Sequence, residues 1–356
     1  MPLNLDLTLA ETGSALKFSS GLLKWNKTKN YRQMPWKGEK DPYKIWLSEI
    51  ILQQTRVEQG LKYYTQFLEA FPTVKHLATA SEQNVFKLWE GLGYYNRCRN
   101  LIYTSRIIHN QYHGIFPSTY QEILSLKGVG EYTAAAIASF AYNLPFAVLD
   151  GNVYRVLSRI HGIDTPIDTK EGKNIFSRLA AYHLPHKKAG KYNQSIMDFG
   201  ATVCKPVPDC KSCFFKKNCI AFQKNMQHQL PVKINKLLQK ERWFHYFILE
   251  NKDFIIIGKR QKKDIWQNLF QFPLVEASSS TIKLNKISNF GISLSNIKET
   301  WSSSQKLTHQ QIHFKFYRIS LEQPVAIEEY QWVNKKDLQN FPFPRTLKLF
   351  ITSYLR

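Results

Sequence analysis

Four cysteines fall within sixteen residues, spaced Cys204-x5-Cys210-x2-Cys213-x5-Cys219, and thiols this close must either pair with one another or hold a metal. The first residues, MPLNLDLTLAETGSALKFSS, carry no basic region followed by an apolar run, so a cytoplasmic chain in a reducing compartment is expected. Structural disulfides are rare there, which favours metal ligation. Zinc takes four thiolates tetrahedrally, usually from paired CxxC knuckles, and only Cys210 and Cys213 make such a pair. An iron–sulfur cubane also takes four thiolates and tolerates uneven gaps, because its irons stand apart. Spacing alone leaves both open. The fifth cysteine, Cys98, stands alone and is expected to be a small buried residue.

The charge balance narrows the class of partner. With 49 Lys+Arg against 27 Asp+Glu, the formal charge is +22, a field that attracts a polyanion, nucleic acid first. The cations are interleaved with aromatics, as in Tyr94-Tyr95-Asn96-Arg97-Cys98-Arg99, which indicates a folded basic surface and not a disordered arm. No run approaches the ~18 apolar residues a membrane span needs. At 356 residues the chain has room for two domains.

Periodicity separates the two. Over 22–221 apolar residues recur at helical spacing, with stretches at 42–54, 61–70, 82–89, 98–109, 133–142, 153–160, 173–183 and 191–199, so this half is expected to be all-α. Residues 1–21 read as an N-terminal extension, and the polar, lysine-rich stretch 222–240 reads as a linker. Short aromatic and β-branched runs at 243–249, 254–258, 269–275 and 313–319 then indicate strands of a smaller α+β domain, 241–356, with a loop around 278–281.

Three segments could carry chemistry. In Leu126-Lys127-Gly128-Val129-Gly130-Glu131, a Gly-x-Gly turn ahead of a helix can offer backbone N–H groups to a phosphate, or can simply be a tight helix corner. In Val148-Leu149-Asp150-Gly151-Asn152-Val153, Asp150 stands just before a helix, where it can be an N-cap or an anion that stabilises a cationic transition state. Glu49 lies among Trp46, Leu47, Ile50 and Ile51, where desolvation would keep it protonated near neutral pH; alternatively it is solvated and paired with Arg56. One protonated and one ionised carboxylate are the pair needed to cleave a glycosidic bond.

Taken in order, WLSEIILQQT around Glu49, LKGVGEYTAAAI, AVLDGNVYRVLSR and the four cysteines resemble the helix-hairpin-helix DNA glycosylase superfamily, in its adenine-excising branch, over 22–221. The resemblance implies an all-α helix-hairpin-helix glycosylase domain with an iron–sulfur loop at 204–219, followed by a Nudix-like (MutT-like) 8-oxoguanine recognition domain. It implies a [4Fe-4S] cluster on Cys204, Cys210, Cys213 and Cys219, although the first gap holds five residues where the family has six. It also implies a monovalent or calcium ion at the hairpin turn, Gly128 and Gly130, when DNA is bound. By the same resemblance Asp150 stabilises the cationic sugar left when adenine departs, Glu49 protonates the base, and Asn152 and Tyr132 support them. Arg32 and Trp36 lie near the adenine pocket, and Gln54, Thr55, Leu92 and Tyr94 meet the duplex around the flipped base. Thr308 and His309 match a Ser/Thr-His loop facing 8-oxoguanine, with Leu307 where an aromatic is usual.

The related lysine-dependent glycosylases carry their Schiff-base lysine at the position of Tyr132, and tyrosine cannot form that adduct, so a monofunctional enzyme is implied. No glutamate-rich magnesium motif occurs in 241–356, so the second domain should bind and not hydrolyse. The expected partner is double-stranded DNA with adenine opposite 8-oxoguanine or guanine, met by a monomer that is nucleoid-associated in a bacterium. A thymine-mismatch or oxidised-pyrimidine glycosylase and a non-catalytic iron–sulfur DNA-binding protein are the competing readings.

Overall fold

The computed structural model describes residues 12–234, 240–282 and 298–355. The chain divides into two compact units, one formed by Met1–Thr79 with Asn100–Asn235, the other by Ala80–Arg99 with Lys236–Arg356.

In the first unit the helices are α1 (Thr12–Lys29), α2 (Pro42–Leu52), α3 (Val57–Ala70), α4 (Val74–Thr79), α6 (Asn96–Gln111, shared at its start with the second unit), α7 (Tyr120–Ser125), α8 (Glu131–Tyr142), α9 (Gly151–His161), α10 (Lys170–Tyr182), α11 (Ala189–Thr202) and α12 (Ile220–Gln223); α5 (Glu82–Trp89) belongs to the second. Local sequence explains their ends. Asp41 caps α2 with Pro42 in its first turn, Thr119 and Glu122 form a capping box on α7, and Thr169 caps α10. Gly162 ends α9 in the left-handed conformation. The apolar faces of α1, α9, α10 and α11 meet in a core of Phe18, Leu22, Trp25, Val153, Val156, Leu157, Phe176, Tyr192 and Phe199. Cys98 is buried, as its isolation suggests.

The hairpin joins α7 to α8. Gly128 has φ +84°, and a Cβ there would come within 2.7 Å of the Asn100 side chain, so only glycine fits; Gly130, at φ −94°, is the N-cap of α8.

Two boundaries differ from those expected. Helix α1 runs through much of 1–21, and Phe18 is in the core, because its apolar stripe starts before residue 22; residues 1–11 lie outside the described residues. The stretch expected as a linker is docked as far as Ile234, whose N–H donates to Asp168 Oδ1 at 3.2 Å; the Val232 carbonyl accepts from Ile167 N–H at 3.0 Å, and Leu230 packs on Cys219 and Ala221. Of that segment, 235–239 lie outside the described residues.

The second unit has a mixed sheet of β1 (Lys240–Asn251), β2 (Phe254–Lys259), β3 (Phe270–Gln271), β4 (Leu274–Ala277), β5 (Lys298–Lys306), β6 (Gln310–Ser320) and β7 (Tyr330–Asn334), with helix α13 (Arg345–Tyr354). The order is β3-β2-β1-β6-β5, with β4 on β1 and β7 on β2, and β1 pairs in parallel with β6. Alternation along β6 sends Ile312, Phe314 and Phe316 inward, and Phe316 stacks on Phe350 of α13 at 4.4 Å. The run 269–275 is two short strands, since Pro273 interrupts the ladder. The serine-rich β5 and the short β7 were not expected: β5 shows no apolar alternation, and β7 is only five residues long, with Tyr330 and Trp332 as its inward pair.

The assignment of 80–99 to this unit departs from the expected boundary at 221. Gln83 donates to the Asn340 carbonyl at 3.1 Å, Lys87 to the Phe341 carbonyl at 3.2 Å, and Arg99 to the Gln267 carbonyl at 3.0 Å.

Candidate active site

A cavity of about 460 Å³ opens in the helical unit, and Arg32, Trp36, Glu49, Gln54, Thr55, Tyr132, Asp150 and Asn152 all line it. Eight residues spread over more than a hundred positions thus meet at one place because α2, α8 and α9 bring their ends together.

Glu49 projects from α2 and is 7% exposed. Burial lifts its carboxyl to about 7; the Tyr132 hydroxyl, which donates to it, pulls the other way, and the Asp150 charge adds to the rise. Among the described residues no ion pair joins it to Arg56. Tyr132, half-buried, has its phenol held well above its usual range by its removal from water and by both carboxylates, so it remains a neutral donor.

Asp150 is the N-cap of α9. Its Oδ1 accepts the Val153 N–H at 2.8 Å and so caps α9, while Oδ2 accepts from the Asn152 amide at 2.8 Å. Burial raises its pKa above the ordinary value, opposed by these donors and by Arg155. Of these two neighbouring carboxylates, the N–H donors are on Asp150 and the deeper burial is on Glu49, which favours the negative charge on Asp150 and the proton on Glu49. Asn152 is itself oriented: its carbonyl accepts from Arg155 at 2.7 Å, and Arg155 also donates to the carbonyls of Gly200 and Cys204, both at 2.7 Å. A hydrogen-bonded path therefore runs from the cysteine loop to Asp150.

On the opposite wall Arg32 pairs with Asp198 at 2.9 Å, and Lys37 reaches the same buried carboxylate at 3.0 Å. Trp36 meets Tyr64 edge-on at 5.3 Å. Gln54 has φ +55° and Tyr94 φ +49°, unusual for side chains of this size. Strain of this kind concentrates at working sites.

The sequence is 33% identical over 346 residues to the adenine DNA glycosylase of Buchnera aphidicola subsp. Acyrthosiphon pisum, covering 95% of this chain and 97% of the relative. It is 38% identical to the adenine DNA glycosylase of Buchnera aphidicola subsp. Baizongia pistaciae, over 73% of this chain and 74% of the relative. The chain belongs to the adenine DNA glycosylases. Residues 47–181 match the HhH-GPD superfamily of base excision DNA repair proteins, and 245–353 match the NUDIX domain. Among solved structures, a thermostable thymine-DNA glycosylase is 29% identical with TM-score 0.56, covering 60% of this chain and 99% of its own. An endonuclease III–DNA complex, 19% identical with TM-score 0.52 over 61% of this chain and 98% of its own, shares the fold. The protein is a DNA glycosylase with a helical glycosylase domain and a Nudix-like domain.

In this adenine DNA glycosylase family member the remaining predicted residues lie elsewhere. Cys204, Cys210, Cys213 and Cys219 are free thiols lining one small cavity beside Arg159. Arg159 donates to the Lys205 and Pro206 carbonyls at 2.6 and 2.9 Å and approaches Cys204 Sγ at 3.6 Å, which fixes the short first gap. In the second unit Tyr94 and the loop residues Thr308 and His309 are exposed, and the Tyr94 and Thr308 hydroxyls are hydrogen-bonded. Leu92, expected to meet the duplex, is buried, with its N–H on the Trp89 carbonyl at 3.0 Å.

Sequence reasoning missed Gln194 and Met197, which also line the active-site cavity. The Gln194 amide donates to Asp198 at 3.0 Å, leaving its carbonyl oxygen as an acceptor. The available signal was Gln194 and Asp198 four apart in α11, a spacing that puts both on one face.

Proposed function

We propose that this protein is a monofunctional base-excision repair enzyme that hydrolyses the N-glycosidic bond of adenine mispaired with 8-oxoguanine or guanine in double-stranded DNA. The observation that carries the reading is that Glu49 of α2 and Asp150, the N-cap of α9, line one cavity, with Glu49 lifted to about 7 by burial and Asp150 held by the Val153 N–H and the Asn152 amide. A base in a stacked duplex is out of reach, so adenine must be flipped into the cavity. Glu49 then donates its proton to the ring at N7, the C1′–N9 bond breaks with its electron pair leaving on the base, and Asp150 stabilises the cationic sugar. Water adds at C1′ and returns a proton to Glu49. Arg32, Trp36 and Gln194 wall the base pocket. Gln54, Thr55 and Tyr94 meet the duplex, and the Gly128–Gly130 turn contacts its backbone, with a monovalent or calcium ion there when DNA is bound. Tyr132 supports hydrolysis without a Schiff base. The test is the released product: free adenine from a duplex carrying adenine opposite 8-oxoguanine supports the reading, and free thymine from a thymine–guanine duplex in its place would refute it.

A [4Fe-4S] cluster fits the four thiols better than zinc. All four cysteines line one small cavity, and their uneven spacing makes only one CxxC pair of the kind zinc usually takes. A cluster whose irons stand apart takes more widely set thiolates, and the Arg159 guanidinium beside Cys204 offsets their negative charge. When bound, the cluster would order the loop bearing Lys205, Lys211, Lys216 and Lys217, a basic surface suited to phosphate. Protein purified without air should show a broad visible absorption band that Cys213→Ser abolishes. Colourless protein with one zinc per chain would exclude the cluster.

The second unit supports recognition of the opposite base. Thr308 and His309 stand exposed in one loop, able to hydrogen-bond the edge that 8-oxoguanine does not share with guanine. A site built to satisfy such groups discriminates by several kcal/mol. Replacing both by alanine should slow excision opposite 8-oxoguanine at least about tenfold more than opposite guanine. Equal slowing would leave the domain only a general affinity role.

A further inference from the structure

The turn that carries Tyr94 is held at both ends by the unit that carries Thr308. At its start, Glu90 ends α5, is 9% exposed, and accepts the Phe343 N–H at 3.0 Å together with the ammonium groups of Lys87 and Lys348. At its end, the Tyr94 hydroxyl bonds Thr308. Between them the backbone adopts φ values of +93° at Gly91, +81° at Gly93 and +49° at Tyr94. The Arg97 guanidinium lies against the Trp89 and Tyr94 rings and donates to the Gly93 carbonyl at 3.3 Å.

The two anchors are themselves connected. Lys348 is on α13, whose Thr346 donates to the Gln305 side chain at 2.8 Å near the end of β5, and β5 leads directly into the Thr308 loop. The chain of contacts therefore closes: Glu90 to α13, α13 to β5, the loop to Tyr94, and the turn back to Glu90.

We propose that Glu90 is a positioning residue for recognition of the base opposite adenine. By fixing the Gly91–Tyr94 turn to α13, it sets Tyr94 and the Thr308–His309 loop in one posture, so that the side chain entering the duplex and the loop reading the lesion act as one body. This rests on the reading of Thr308 and His309 as the 8-oxoguanine loop. Glu90 touches no substrate, so it should leave the chemistry at Glu49 and Asp150 alone.

The test uses the full chain with Glu90→Gln, which keeps the shape and an acceptor for Phe343 N–H but removes the charge. Lys348→Met, at a half-exposed position, removes the same ion pair from the other side. Each should reduce the preference for 8-oxoguanine over guanine in single-turnover excision about tenfold, as expected for loss of a charged hydrogen bond. Excision opposite guanine at saturating enzyme should stay within about twofold. A 2-aminopurine beside the 8-oxoguanine should lose the fluorescence rise that Tyr94 insertion produces. Combining Glu90→Gln with Thr308→Ala should cost less than the sum of the two, because both release the same turn. An unchanged preference in both single variants, or strict additivity, would overturn the proposal. So would a lowered melting temperature with the preference intact, which would make Glu90 merely structural. If Thr308→Ala with His309→Ala also leaves the preference unchanged, it is the reading of the loop that fails.

Discussion

Asp150→Asn is expected to lower single-turnover excision of adenine by at least about a thousandfold while leaving duplex binding nearly unchanged. Asparagine is as good an N-cap as aspartate, so the Val153 N–H keeps its acceptor and α9 its start. What disappears is the negative charge held by Val153 and Asn152, the charge that on the proposed mechanism faces the cationic sugar. Binding depends on the basic surface and its phosphate contacts, which this carboxylate does not provide. The melting temperature should therefore stay close to that of the native protein. Near-normal excision would reduce Asp150 to a cap, the other role its position permits.

Glu49→Gln should remove about two to four orders of magnitude, because an amide cannot supply the proton that makes adenine a leaving group. The accompanying pH behaviour separates this from a packing effect. Native activity should fall as pH rises through about 7, where the buried carboxyl of Glu49 loses its proton; the residual activity of the variant should lack that fall. Stability should change in a defined sense as well. The folded pKa lies above the ordinary 4.5, so the folded state binds more protons in that window. The contribution of Glu49 is fully retained below the unfolded value and is lost as pH rises through the folded one. Glutamine escapes this penalty, so the variant should gain melting temperature over the native protein at about pH 8 and little at about pH 4. A variant with normal excision, or one destabilised at both pH values, would make Glu49 a structural residue.

The site was legible where chemistry forces residue type into a short pattern. A carboxylate in the middle of the apolar run around Trp46 and Ile50, or just ahead of a helix at Asp150, is conspicuous because burial of charge is costly without a purpose. Gln194 was not legible: a glutamine on a half-buried helix has many ordinary roles, and only the folded cavity shows which way it faces. The helices at 82–89 and 153–160 followed from their strong amphipathic stripes. Strand β5 was hidden because WSSSQ has no alternating apolar face; its partner β6 supplies the apolar side chains. The membership of 80–99 in the second unit was hidden for a related reason. It depends on Glu90, Lys87 and Gln83 meeting backbone groups some 250 residues away, contacts that leave no local periodicity.

The most direct measurement incubates end-labelled duplexes carrying adenine opposite 8-oxoguanine, adenine opposite guanine, thymine opposite guanine, and adenine opposite thymine, each with and without later alkali. Cleavage at the adenine strand only after alkali, fastest opposite 8-oxoguanine, slower opposite guanine and absent from the other two, is the predicted result. Strand cleavage without alkali, or excision of thymine opposite guanine with adenine left intact, would contradict it.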